Sequence, residues 1–115
     1  MNPERNEKFQ KFRSSRQPQV CLEIAMEEFF RRDLPEEFRG EYEKYLHQRL
    51  RPMVAALIDR DQVEALQQVD ELGWLSESLL EEFTLTAARS HKGPALMWLL
   101  EKRQQQGFRK PDFSL

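Results

Sequence analysis

One cysteine, four glycines and two histidines in 115 residues narrow what this chain can be. Cys21 has no partner for an internal disulfide. It lies in the run Val20-Cys21-Leu22-Glu23-Ile24-Ala25 and reads as a small buried hydrophobe. A lone thiol used in this way fits a reducing compartment, so a cytoplasmic protein is expected. His47 and His91 are far apart, and neither has a second Cys or His at metal-ligand spacing. The four glycines are scattered, so no Gly-rich phosphate loop can be drawn. Four valines and two isoleucines leave little material for a sheet. No apolar run approaches the roughly 20 residues that cross a bilayer. The opening Met1-Asn2-Pro3-Glu4-Arg5 lacks the apolar core of a secretory signal.

Catalytic patterns are equally scarce. Ser14-Ser15, Ser76, Ser78 and Ser90 have no nucleophile motif around them. Glu27-Glu28, Glu36-Glu37 and Glu81-Glu82 are adjacent pairs, and neighbours on a helix point about 100° apart. Such pairs do not converge on a metal or a substrate, and they read as solvated faces. No enzyme activity, cofactor, metal or small-molecule substrate is expected.

What the chain does have is helix-forming material. A third of the residues are charged, and Glu, Leu, Gln, Arg and Ala fill long stretches. The length suits a single helical domain over 1–115, with an all-α core of four to five helices. Charge is uneven. Residues 1–19 hold five basic and two acidic side chains, residues 20–101 nine and seventeen, and residues 102–115 four and one. An acidic body between basic ends resembles neither a DNA-binding module nor a membrane binder. The basic ends do support one alternative. Arg5, Lys8, Lys11, Arg13 and Arg16, interleaved with Phe9 and Phe12, would suit a nucleic-acid-binding accessory factor.

Punctuation along the chain divides it. Residues 1–17 are polar apart from Phe9 and Phe12 and read as a flexible or late-ordering segment that docks through its two rings, which share one face. Residues 18–51 read as a helical pair. Pro18 opens the first helix, Val20, Leu22, Ala25, Met26 and Phe29 line it, and a restart follows around Pro35. Pro52 marks a kink or a new start. From there to residue 104 the pattern predicts short helices. One closes at Asp59-Arg60-Asp61, and the next spans Gln62–Leu72, with Val63, Leu66, Val69 and Leu72 as its apolar stripe and Gly73 as its left-handed cap. A third is capped by Ser76 and carries Leu79, Leu80, Phe83, Leu85, Ala87 and Ala88. After the turn Ser90-His91-Lys92-Gly93, Pro94 starts the last helix, which ends at Lys102-Arg103. Residues 105–115 read as a tail.

Two stretches match at a spacing of thirty residues. Leu57-Ile58, Ala65-Leu66, Val69 and Gly73 are answered by Ala87-Ala88, Ala95-Leu96, Leu99 and Arg103. Self-similarity of this kind marks stacked helix pairs, which cannot bury their apolar faces alone. Residues 87–103, Ala-Ala-Arg-Ser-His-Lys-Gly-Pro-Ala-Leu-Met-Trp-Leu-Leu-Glu-Lys-Arg, resemble the helix-turn-helix half of a degenerate ankyrin-type repeat. Residues 57–73 resemble it more weakly. The spacing falls short of the family's roughly 33 residues. The Thr-Pro-Leu-His opening is also absent, Phe83-Thr84-Leu85-Thr86 standing in its place. The resemblance implies a stacked, ankyrin-like double helical hairpin without a β-finger in the C-terminal half, and protein binding rather than catalysis.

Interaction candidates follow from the apolar residues left over. Ala95-Leu96-Met97-Trp98-Leu99-Leu100 is apolar on every side, so one face is expected to pack on the helix with Leu79 and Phe83 and the other to be covered by the tail, by the Phe9-Phe12 segment or by a partner chain. Trp98, with Phe108 and Phe113 of the tail, is the leading candidate surface. Trp74 in a connection is another candidate, and plugging the end of a core is its alternative role. The function expected is that of a small, non-catalytic protein-interaction module that binds another protein or its own copy.

Overall fold

The computed structural model describes residues 3–31, 34–90 and 93–109, with side chains as far as residue 105, and every regular element in it is helical. Seven helices stand among the described residues: α1 (Pro3–Ser14), α2 (Pro18–Phe29), α3 (Glu36–Gln48), α4 (Leu50–Asp59), α5 (Val63–Glu71), α6 (Glu77–Ser90) and α7 (Gly93–Arg109). Four to five were expected. The excess has two sources. The polar opening segment is itself a helix, and a break at Arg49 makes α4 a helix separate from α3 where a kink at Pro52 was the alternative. None of the helices is long and apolar enough to cross a membrane. They gather into two compact units that divide between Met53 and Val54, inside α4.

The first unit is built on aromatic rings. Phe9 and Phe12, one helical turn apart on α1, are buried. The Phe9 ring stacks on Phe38 at 4.5 Å and meets Tyr42 edge-on at 5.6 Å, and Phe12 lies 4.8 Å from Tyr42. Offset and edge-to-face ring pairs of this kind add to the burial of apolar area. α2 starts at Pro18, whose fixed φ suits a first turn, and Gln17 before it is extended because α geometry clashes with a following proline. α2 turns Cys21, Ala25, Met26 and Phe29 inward. The Cys21 thiol donates weakly to the Phe12 carbonyl at 3.4 Å. α3 opens after Pro35, whose carbonyl accepts the N–H groups of Phe38 and Arg39. Its inner stripe is Phe38, Tyr42 and Leu46.

In the second part of the chain two helices end in the same way. Asp61 has φ 57°, with Gln62 N–H donating to Leu57 O and Asp61 N–H to Ile58 O. Gly73 has φ 79°, with Trp74 N–H donating to Val69 O and Gly73 N–H to Asp70 O. This paired pattern closes a helix with one left-handed residue. Glycine takes that conformation freely, and aspartate is among the few other residues that tolerate it. Ser76 caps α6, its hydroxyl accepting the Leu79 N–H at 3.2 Å. Pro52 falls in the first turn of α4, where its missing N–H costs nothing.

Two apolar assignments are corrected on α6 and α5. Leu85 is 58% exposed, and Thr84 takes the inward position instead. Leu80, Phe83, Thr84 and Ala87 share a face from which Leu85 points away, and the Thr84 hydroxyl is satisfied by Leu80 O at 2.6 Å. Leu72, expected as the last inward residue of its helix, is exposed at the cap. α7 also runs further than expected. Residues 105–109 are helical and not a tail, because glutamine favours helix and a single glycine costs only about 1 kcal/mol.

Candidate functional site

α7 carries the surface most suited to recognition. Ala95 and Leu99 are fully buried and Trp98 is nearly so, while Met97 is 61% and Leu100 41% exposed. Of the covers expected for this helix, its neighbours within the described residues supply one face only. Met97 and Leu100 sit three residues apart, one turn along a single face. The covered face and the bare face belong to the same apolar run.

α5 and α7 lie side by side and run in the same direction, pinned at both ends. At their starts a carboxylate oxygen of Asp61 accepts the Ala95 N–H at 2.9 Å. At their ends Lys102 pairs with Asp70 at 2.8 Å, both side chains about one-fifth exposed. α6 packs on α7 in the opposite sense, as the contact between Glu81 and Arg103 shows. Three position pairs of the thirty-residue match are buried in both members: Leu57 and Ala87, Ala65 and Ala95, Val69 and Leu99.

Between α5 and α7 is an open groove of about 350 Å³. Gln67, Asp70 and Glu71 line it from α5, and Trp98, Glu101 and Lys102 from α7. On α7 Met97 borders the groove-lining stripe, one turn from Glu101, and Leu100 lies on the far side of the helix from the groove. Glu71 and Glu101 are exposed and make no ion pair among the described residues. The groove thus combines a tryptophan edge with unneutralised carboxylates.

The candidates named from sequence are distributed unevenly. Trp98 stands in the groove wall. Trp74 is partly buried in the connection before α6, and its N–H closes the end of α5. Phe108 belongs to α7, with its side chain outside the described part, and Phe113 and His91 lie outside the described residues. The sequence leaves one face of this run to be covered by something other than the preceding helix, and the structure shows that face to be the one with Met97 and Leu100.

The first unit holds a buried polar group that was read as part of a solvated face. Glu28 is fully buried at the inner side of α2. One carboxylate oxygen lies 3.4 Å from Lys8 and 3.7 Å from Arg31, and the other has no hydrogen-bond partner among the described residues. The Lys8 ammonium is held above its usual range, mainly by its hydrogen bond to Glu27 at 2.7 Å and further by the charges of Glu27 and Glu28. Tyr42 is buried and its hydroxyl is likewise unpartnered among the described residues. Burial, reinforced by the Glu28 charge, pushes it up to about 12. Arg5 is also buried on α1. Among the described residues no three His, Cys, Asp or Glu side chains are grouped to hold a metal ion.

Phe9 and Phe12 are spent on the first unit's core, so their rings are not offered to nucleotide bases. Protein-family models, curated proteins and solved structures were compared with the chain, and none matches it.

Proposed function

We propose that this chain is a small, non-catalytic protein-interaction module that binds another protein through α7. The observation that carries this reading is the exposure of Met97 and Leu100 on a helix whose opposite face is fully buried. Bare apolar residues on a helix that also walls a polar-rimmed groove are typical of a recognition surface. Methionine suits such a role because its unbranched thioether adapts to different partners.

The ankyrin-type reading belongs to the same proposal. The parallel pairing of α5 with α7, the helices related by the thirty-residue match, supports it, as does the shared burial of matched positions. In this reading α7 is the last helix of a short stack, and its outer face is the place where a further element would dock.

The test is site-specific photo-crosslinking. A photoreactive residue at position 97 or 100 is expected to give a discrete adduct in cells, and one at exposed Gln48 on α3 is not. Equal labelling at all three positions, or none at 97 and 100, would remove the proposal.

A further inference from the structure

We infer that the bare face of α7, together with the exposed residues of α6 beside it, is a self-association surface whose occupant is a second copy of this chain. This deepens the interaction-module reading by naming the partner, and it rests on that reading. Among the described residues, three of the four large apolar side chains that stay exposed gather here: Leu85 on α6, and Met97 and Leu100 on α7. α6 and α7 run in opposite senses, and Arg103 reaches Glu81 across them. Leu85 lies one turn on from Glu81 and Leu100 about one turn back from Arg103, so the two leucines come to the same level of the hairpin. Phe83, Ala87, Ala95 and Leu99 are buried on its inner side, which leaves the exposed leucines on its outer side. Met97 follows Leu100 one turn away along α7.

Charge decides what covers this face. Glu82 and Arg89 are seven residues apart on α6, two turns along one face, with Leu85 between them. Both are exposed, and Arg89 makes no ion pair among the described residues. Along the helix the face therefore runs acidic, apolar, basic. A two-fold axis that crosses α6 at right angles near Leu85 lays this order on its own reverse. Arg89 of each copy then meets Glu82 of the other, and the two Leu85 side chains meet at the centre. The same axis lays α7 on α7 in opposite senses, where the adaptable Met97 packs near Leu100 of the second copy. A partner of one charge sign, acidic or basic, would meet like charge at one end of this face. Self-complementary order is the property an isologous interface requires.

The experiment follows the solution mass of the full chain by light scattering, from about 1 μM to about 1 mM, the range in which a small face associates. A monomer–dimer equilibrium is expected. E82R and R89E are each expected to weaken dimerisation about tenfold or more, because each sets like charges opposite one another in both pairs. An equimolar mixture of E82R and R89E is expected to dimerise as the parent chain does, since opposite charges face each other again. L85S is expected to weaken dimerisation about tenfold through the lost apolar contact. E41R and K44E, on exposed positions of α3, make the same changes of net charge and are expected to leave it unchanged. Circular dichroism confirms that each variant is folded.

A parent chain that stays monomeric over the whole range would overturn the inference. If it dimerises only once residues 110–115 are removed, the face belongs to the chain's own tail, and the inference is overturned as well. A dimer indifferent to both charge changes would overturn it too, and so would an equimolar mixture that stays monomeric. The crosslinked adduct from position 97 is expected to have twice the mass of the chain. An adduct of any other mass, formed by a monomeric chain, would sink this inference and leave the interaction-module reading standing. The absence of any adduct would sink both.

Discussion

Asp61 and Ala95, thirty-four residues apart in sequence, are joined by a hydrogen bond of 2.9 Å from the backbone N–H of Ala95 to the carboxylate of Asp61. Asp61 does two things at once. It closes α4 in the left-handed conformation, and its side chain satisfies one of the orphan donors at the start of α7, where the helix dipole also favours negative charge. The two roles can be separated by substitution. Asp61→Gly keeps the left-handed turn and loses the carboxylate, so a loss of about 1 kcal/mol is expected. Asp61→Leu loses both and should cost about 2–3 kcal/mol. Urea unfolding followed by circular dichroism measures both. A glycine variant as stable as the parent would mean that the Ala95 bond contributes nothing.

Glu28 leads to a second expectation. Its buried carboxylate has Lys8 as one of two neighbouring cations. Lys8→Met should cost about 2 kcal/mol, because a buried charge loses a partner. Lys11→Met, on an exposed position of the same helix, should stay within about 0.5 kcal/mol. Adding Glu28→Gln to Lys8→Met should recover part of the loss. Equal effects of the two lysine changes would show that Glu28 does not depend on Lys8.

Tyr42 makes stability depend on high pH. Its ordinary value is 10.0, and in the folded chain it is raised to about 12. The neutral hydroxyl is favoured by folding, so this contribution is complete below pH about 10 and is lost as pH rises towards about 12. The loss should be about 2–3 kcal/mol. Lys8, also raised, acts in the same direction, so the informative comparison is with Tyr42→Phe. That variant should lose less stability over this window. It should equal or exceed the parent at neutral pH, because it removes a buried hydroxyl with no partner among the described residues. Identical pH profiles would count against the assignment.

The α7 residues should separate stability from recognition. Trp98→Ala empties a nearly buried site and should cost about 3–5 kcal/mol. Met97→Ser and Leu100→Ser, on exposed positions, should each stay within about 0.5 kcal/mol. Yet they should abolish the crosslinked adduct formed from a neighbouring position. A large stability loss from the serine variants would show that the face is covered and is not free for a partner.

Much of the local structure was legible in the residues. Pro18, Ser76 and Gly73 stand at the helix ends their chemistry implies, and the spacing of Phe38, Tyr42 and Leu46 marks the inner face of α3. The candidate site was legible only in part. Trp98 was named, while which residues of its run form the second, unpaired face was not. Apolar periodicity shows which residues are able to be buried, and the neighbours available decide which of them are. Glu28 shows the reverse error, a charged residue assigned to solvent that packing draws inside.

The all-α class and the main helix ends were determined by the sequence alone, because they depend on backbone preferences and hydrogen bonds within a few residues. Only the tertiary structure decided that Thr84 and not Leu85 faces inward, that Asp61 reaches Ala95, and that Met97 and Leu100 stay bare. Each of these outcomes depends on a partner brought close by folding. Burial is settled collectively among helices distant in sequence, and no local pattern contains that information.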